Sequence, residues 1–129
     1  MAEANLPKPT EAELEILKVL WRRGAGTVRE VYEELSRAKE MGYTTVLKFM
    51  QIMAEKGLVV RDETERAHVY TARVPQQETQ QQIVGDLLQR VFEGSAAQLV
   101  MQALSSKQTS AEDLQAIKQM LREFEGREI

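Results

Sequence analysis

Apolar side chains recur along this chain in separate helical runs, punctuated by glycines and by Ser/Thr caps. Leu14, Leu17, Leu20 and Trp21 have the spacing of one helix face. Thr10-Glu11-Ala12-Glu13 stands before them in the form of a capping box, in which hydroxyl and carboxylate satisfy reciprocal backbone donors. Gly24 and Gly26 end this first helix. Thr27-Val28-Arg29-Glu30 has the same form and opens a second helix, with Val31, Tyr32 and Leu35 on its apolar face. A loop from Arg37 to Gly42 leads to a third helix, about Thr44 to Lys56, closed by Gly57. Leu58 to Arg61 and Ala67 to Thr71 are short β-rich runs. They flank Asp62-Glu63-Thr64-Glu65-Arg66, a polar turn with no apolar residue, and so predict a hairpin.

Past Pro75 the composition shifts to the glutamine-rich QQETQQQ, which reads as the solvated first turn of a fourth helix. Ile83, Leu87, Leu88, Val91 and Phe92 continue it with helical period, and Gly94 stops it. Ser95-Ala96-Ala97-Gln98 caps a fifth helix, up to about Leu104, that is apolar nearly all round and is therefore predicted to be buried. Thr109-Ser110-Ala111-Glu112 caps a last helix, whose Leu114, Ile117, Leu121 and Phe124 follow at offsets of 3, 4 and 3. That is the spacing of a helix–helix seam. The predicted fold is mainly α with a small β-hairpin. Residues 1–9 form a flexible lead, 10–74 a winged helix-turn-helix domain, and 75–129 a three-helix dimerisation module.

Composition narrows the function. At 43% apolar and 29% charged residues the chain is a folded, soluble type. It has no cysteine, so disulfides, thiolate metal sites and cysteine nucleophiles are excluded. His68 is the lone histidine and cannot build a His-rich metal site. No apolar run approaches the ~18 residues of a membrane span. The N-terminus lacks a basic-then-apolar signal pattern, so a cytoplasmic protein without membrane insertion is expected. The net charge is −3, but it is unevenly spread. Residues 1–75 hold 12 Lys+Arg against 12 Asp+Glu, whereas residues 76–129 hold 5 against 8 and carry the whole excess. A neutral half can still bind nucleic acid if its cations gather on one face.

The third helix carries the candidate chemistry. Val46, Phe49, Met50 and Met53 form its inward face, and Thr44, Lys48, Gln51 and Glu55 the opposite stripe. A helix that enters a major groove needs short polar side chains near its N-terminus. Thr44 and Thr45 suit phosphates or bases, Gln51 can pair with adenine, and Lys48 can address guanine or phosphate. Tyr43 can hydrogen-bond a phosphate at the start of the helix. Arg66 at the hairpin tip can reach a phosphate or the minor groove, with Arg61 and Arg73 as further backbone contacts. The opposing reading is a plain solvated helix and a solvated turn charge beside Asp62, Glu63 and Glu65. Leu47 and Ile52 flank the stripe although apolar, and the pattern leaves open contact with thymine methyls or packing against the second helix. His68 is assigned to a strand, in a structural role rather than as a pH switch. The pairs Glu33-Glu34 and Glu112-Asp113 sit on capped amphipathic helices and are assigned to solvent. No P-loop, dinucleotide loop, nucleophile elbow or zinc spacing occurs, so neither an enzyme nor a cofactor is expected.

The last fifty or so residues carry more apolar surface than three short helices bury alone. A second copy would cover Leu87, Leu88, Val91, Phe92, Leu114, Ile117, Leu121 and Phe124 in a two-fold dimer. The alternative is a monomeric cap folded onto residues 10–73.

Three stretches, TEAELEILKVLWRRGAGTVREVYEEL, GYTTVLKFMQIMAEKGLVVRDETERAHVYTA and VFEGSAAQLVMQAL, resemble the penicillinase-repressor (BlaI/MecI) family of bacterial transcription regulators over about residues 8–124. The resemblance implies a homodimeric winged-helix repressor on a palindromic, double-stranded DNA operator. It implies DNA contacts from Tyr43, Thr44, Thr45, Lys48 and Gln51 and from the wing near Arg66. It implies dimerisation through the C-terminal helices, and a membrane sensor protease as a possible partner. Two departures stand out. Antibiotic-responsive members are cleaved at an Asn–Phe bond after FDGS, where this chain reads Gln102-Ala103. Copper-responsive relatives carry Cys-x-Cys motifs, which this chain lacks. The rival to DNA reading is a winged-helix protein–protein interaction module that uses the neutral-to-acidic surface.

Overall fold

The computed structural model describes residues 7–106 and 109–128, so most of the flexible lead expected over 1–9 lies outside the described residues. The elements run α1 (Glu11–Arg23), β1 (Gly26–Thr27), α2 (Val28–Leu35), α3 (Tyr43–Lys56), β2 (Val59–Asp62), β3 (Val69–Ala72), α4 (Gln76–Phe92), α5 (Ala96–Leu104) and α6 (Ala111–Glu128). The described chain divides into two compact units, and the break falls between Ile83 and Val84, inside α4. The expected boundary at 74/75 marks where α4 begins. The contact boundary lies further on because the first turns of α4 belong to the first unit, where Thr79 is buried.

Local chemistry sets the ends of the first helices. Thr10 accepts from the Glu13 amide at 3.3 Å while the Glu13 carboxylate accepts from the Thr10 amide at 2.9 Å. Thr27 and Glu30 repeat this at 3.1 and 2.9 Å. Each box satisfies donors that a helix start leaves open. At the other end of α3, Gly57 takes φ +89°, which L side chains rarely adopt, and lets the chain turn straight into β2.

The hairpin forms a three-stranded antiparallel sheet in the order β1-β3-β2, with Gly26 opposite Tyr70 and Arg61 also opposite Tyr70. The third strand was not expected: Gly26 and Thr27 read as a helix stop and a cap, and the two residues pair with β3 as well. Both hairpin strands lie one residue or more later than the sequence indicated. Leu58 is fully buried and its carbonyl accepts from Arg73 N at 2.9 Å, just outside the ladder. His68 is an exposed residue before β3, not a strand residue.

The core of the first unit is made by Ile16, Leu17, Val19 and Leu20 of α1, Val28, Val31 and Leu35 of α2, Val46, Met50 and Met53 of α3, and Leu58, Val59, Tyr70 and Val74. Leu14, Trp21 and Phe49, expected inside, are half-buried instead. Trp21 is held by its indole N–H, which donates to the Val74 carbonyl at 2.9 Å. One carboxylate enters this core. Glu13 is 2% exposed and takes the Lys56 ammonium at 2.7 Å, tying the start of α1 to the end of α3.

In the second unit the helix ends follow hydroxyl caps. Ser95 accepts from the Gln98 amide at 3.1 Å and Ser110 from the Asp113 amide at 3.0 Å. The last cap is thus Ser110, not Thr109, whose hydroxyl donates to the Ala103 carbonyl at 2.9 Å. The burial expected of α5 is not found: none of its residues is buried, and Val100 and Met101 are exposed. Apolarity all round predicts burial only where neighbouring elements cover the helix, and no α5 residue is so covered here.

Candidate nucleic-acid interface

The buried side of α3 dictates its exposed side. With Val46, Met50 and Met53 fully buried, Thr44, Thr45, Lys48, Gln51 and Glu55 all face outward. The helix starts at extended Gly42 with no side chain capping its first turn. Its opening amides are therefore not occupied by a cap, and such a helix end favours anions.

Two concavities run along this helix. Tyr43, Leu47 and Gln51 form one wall of a cleft of about 680 Å³, closed by the start of α2 and by Arg61, Arg66 and His68 of the wing. Thr44, Thr45 and Lys48 line a second hollow of about 390 Å³ together with Phe49 and Ile52. The six residues singled out in the sequence thus fall into two groups: Tyr43, Gln51 and Arg66 in the cleft, and Thr44, Thr45 and Lys48 along the other flank. Leu47 is half-buried against the core, whereas Ile52 stays 36% exposed in the second hollow.

Ion pairing decides where positive charge is available. Lys18 pairs with Glu15, Arg22 with Glu34, Arg23 with Glu30 and Glu34, Lys56 with Glu13, and Arg61 with Glu63. Arg29 lies 3.9 Å from Glu33. Arg37 and Lys39 of the α2–α3 loop, Lys48 of α3 and Arg66 of the wing pair with no carboxylate among the described residues. The neutral total of this half therefore includes cations without an ion pair on the elements that border α3, alongside Glu40, Glu55 and Glu65, which have none either among the described residues. Arg37 and Lys39 were not singled out from sequence, because a loop charge carries no periodicity.

The wing is shaped by its own acids. Asp62 accepts from the Thr64 amide at 3.0 Å and from its hydroxyl at 2.8 Å, an Asx-type turn. Those two bonds hold its carboxyl below the ordinary value. Arg61 is kept firmly charged by its hydrogen bond with Tyr70 and by the Glu63 carboxylate at 2.7 Å. Arg73 donates to the Gly57 carbonyl at 3.3 Å. Of the wing arginines named from sequence, Arg66 is thus the one whose head group has no partner among the described residues.

Two residues escaped sequence reading. Tyr32 meets the Tyr43 ring edge-on, with centroids 5.7 Å apart and planes at 81°. Arg29 lies over the same ring, 5.1 Å from its centre. Their spacing of three on α2 puts them on one side of that helix, but nothing local points to α3.

Of the C-terminal candidates, Leu87, Leu88, Phe92 and Ile117 are half-buried, and Val91, Leu114, Leu121 and Phe124 are exposed at 58, 40, 57 and 58%. Gln102 and Ala103 are exposed on α5.

Three helices, an antiparallel sheet and a cleft bounded by the third helix and a hairpin define a winged-helix protein. The defining pattern of the penicillinase repressors matches residues 9–123, and the chain belongs to that family. It is 26% identical over 123 residues to the penicillinase repressor of Bacillus licheniformis, covering 95% of this chain and 96% of that one. It is 28% identical over 124 residues to the transcriptional regulator BlaI of Mycobacterium tuberculosis, covering 95% and 89%. The DNA-binding domain of the repressor BlaI superposes with a TM-score of 0.51 at 27% identity, over 57% of this chain and 89% of that one. The B. licheniformis BlaI monomer in complex with the blaP half-operator superposes over the same shares, with a TM-score of 0.50. Among the described residues no helix is long and apolar enough to cross a membrane.

Proposed function

We propose that this family member is a sequence-specific DNA-binding transcriptional repressor that acts as a homodimer on a palindromic operator. As a penicillinase repressor it is a regulator, not an enzyme. The observation that carries the reading is the placement of cations that no ion pair engages among the described residues. Arg37, Lys39, Lys48 and Arg66 lie on the loop, helix and wing that surround the exposed face of α3. The operator-bound relative supports the same use of this unit.

In this reading α3 enters the major groove. Thr44 and Thr45 sit at its N-terminal turn, where short side chains allow close approach. Gln51 reads a base edge, and Lys48 addresses guanine or phosphate. Tyr43 and Arg66 contact the backbone, one at the start of the helix and the other from the wing. Phosphate neutralisation supplies much of the affinity.

Dimerisation is supported by surface left uncovered in one chain. Val91, Val100, Met101, Leu114, Met120, Leu121 and Phe124 are exposed apolar side chains within 46 residues of sequence. Isolated exposed apolar groups are ordinary, but such a concentration marks an interaction surface. A second copy would also present two readers to one palindrome. A membrane sensor protease is the further partner in this reading, with α5 offering exposed Gln102-Ala103 in place of the Asn–Phe bond. The direct test is a gel shift with the DNA upstream of the protein's own gene at ~0.1 M salt, where clustered charge is still effective. A retarded complex that survives excess random DNA is expected. No shift, or equal competition by random DNA, would favour a protein-interaction module.

A further inference from the structure

Tyr43 is held in an unusual way for a residue at an exposed helix start. Its ring carries the Arg29 guanidinium at 5.1 Å and meets the Tyr32 ring edge-on at 5.7 Å. Arg29 is in turn 3.9 Å from Glu33, one turn further along α2. Tyr32 is half-buried and packs on the core, so it is a fixed surface and not a mobile neighbour. Tyr43 itself is 38% exposed, and its hydroxyl has no hydrogen-bond partner among the described residues. A ring pinned by two neighbours, with an unused hydroxyl on a residue that lines the cleft, is a preorganised hydrogen-bond donor. An unpinned tyrosine would lose rotamer freedom on binding, and pinning removes that cost beforehand.

We propose that Arg29 and Tyr32 are positioning residues that clamp Tyr43, so that its hydroxyl is already aimed at a phosphate oxygen when α3 meets DNA. Arg29 acts through Tyr43 and not as a phosphate contact of its own, because its charge is engaged by the ring and by Glu33. The clamp rests on the regulator reading above for its purpose, but it is also a property of the free protein. The two can therefore fail separately.

The experiment uses the full chain and a duplex that the wild-type protein selects from a random-sequence pool. Arg29→Met and Tyr32→Leu should each weaken binding about threefold to tenfold, the scale of one modest interaction. Tyr32→Phe, which keeps the edge-on ring, should bind as wild type. In a Tyr43→Ala background, Arg29→Met should have no further effect, and the salt dependence of binding should be unchanged by Arg29→Met alone. An undiminished effect in that background, with a salt slope lower by about 0.9, would make Arg29 a phosphate contact and overturn the proposal. NMR of the free protein gives a readout without DNA. Tyr43 should occupy one χ1 rotamer in wild type and average among rotamers in Arg29→Met/Tyr32→Leu. Averaging already present in wild type would refute the clamp even if DNA binds. A single rotamer in a protein that selects no duplex would leave the clamp standing and remove the regulator reading.

Discussion

Glu13 shows how one residue links stability to the position of α3. Burial raises its pKa, but the Lys56 ammonium and the Thr10 hydrogen bonds outweigh that and hold the carboxyl below its ordinary 4.5. A carboxyl depressed in the folded state stabilises the fold above its unfolded pKa, and that contribution disappears as pH falls through the folded value. Acid unfolding monitored by Trp21 fluorescence should therefore show stability falling below about pH 4.5, and Glu13→Gln should flatten that fall. Lys56→Ala leaves a buried carboxylate without its partner. The cost should be about 2–3 kcal/mol by urea denaturation, under the ~3–5 of a fully buried pair because the Lys56 side chain is 34% exposed. At the reading face, Gln51→Ala should lower affinity for the selected duplex by ~1–3 kcal/mol and leave random DNA nearly unaffected. Equal losses on both DNAs would remove Gln51 from base reading.

At the scale of elements, legibility in the sequence follows how local the cause is. The capping boxes at Thr10 and Thr27 span three residues, so the starts of α1 and α2 can be read directly. The exposed stripe of α3 follows from its period, and Gly57 from the break in that period. The strand β1 could not be read, because Gly26 and Thr27 become a strand only through Tyr70 and Val69, more than forty positions away. The one-residue shift of β2 has a similar origin: Leu58-Val59-Val60 is uniformly apolar and does not show where pairing begins. For α5 the pattern reported apolarity correctly and burial wrongly, since burial depends on what packs against the helix and not on its own composition. The candidate site divides in the same way. Thr44, Thr45, Lys48 and Gln51 were legible as a stripe, whereas Arg29 and Tyr32 enter through contacts across two helices. The turn from α3 into the wing depends on Gly57, where a Cβ would lie 3.0 Å from the Arg73 guanidinium at a φ of +89°. Gly57→Ala should cost roughly 1–2 kcal/mol in thermal or urea unfolding. An unchanged midpoint would show that the turn relaxes freely.

For the whole molecule, the two units divide the work. The first unit has a closed core and a face with cations that no ion pair engages among the described residues. The second leaves apolar side chains such as Leu121 and Phe124 exposed, and the proposed second copy would cover them. Replacing Leu121 and Phe124 together with Asp should give a monomer in sedimentation velocity, with the first unit still folded. Its affinity for a palindromic duplex should fall by about a hundredfold or more, since one reader then binds without its linked partner. Reading of DNA sequence by two copies, through α3 and the wing, requires both half-sites of a palindrome. Its most direct test is equilibrium binding of the full chain to the selected palindrome and to the same duplex with one half-site scrambled, with stoichiometry measured in both cases. The expected result is two chains per palindrome and at least about a thousandfold preference over random DNA. Equal affinity for the intact and scrambled duplexes would contradict it.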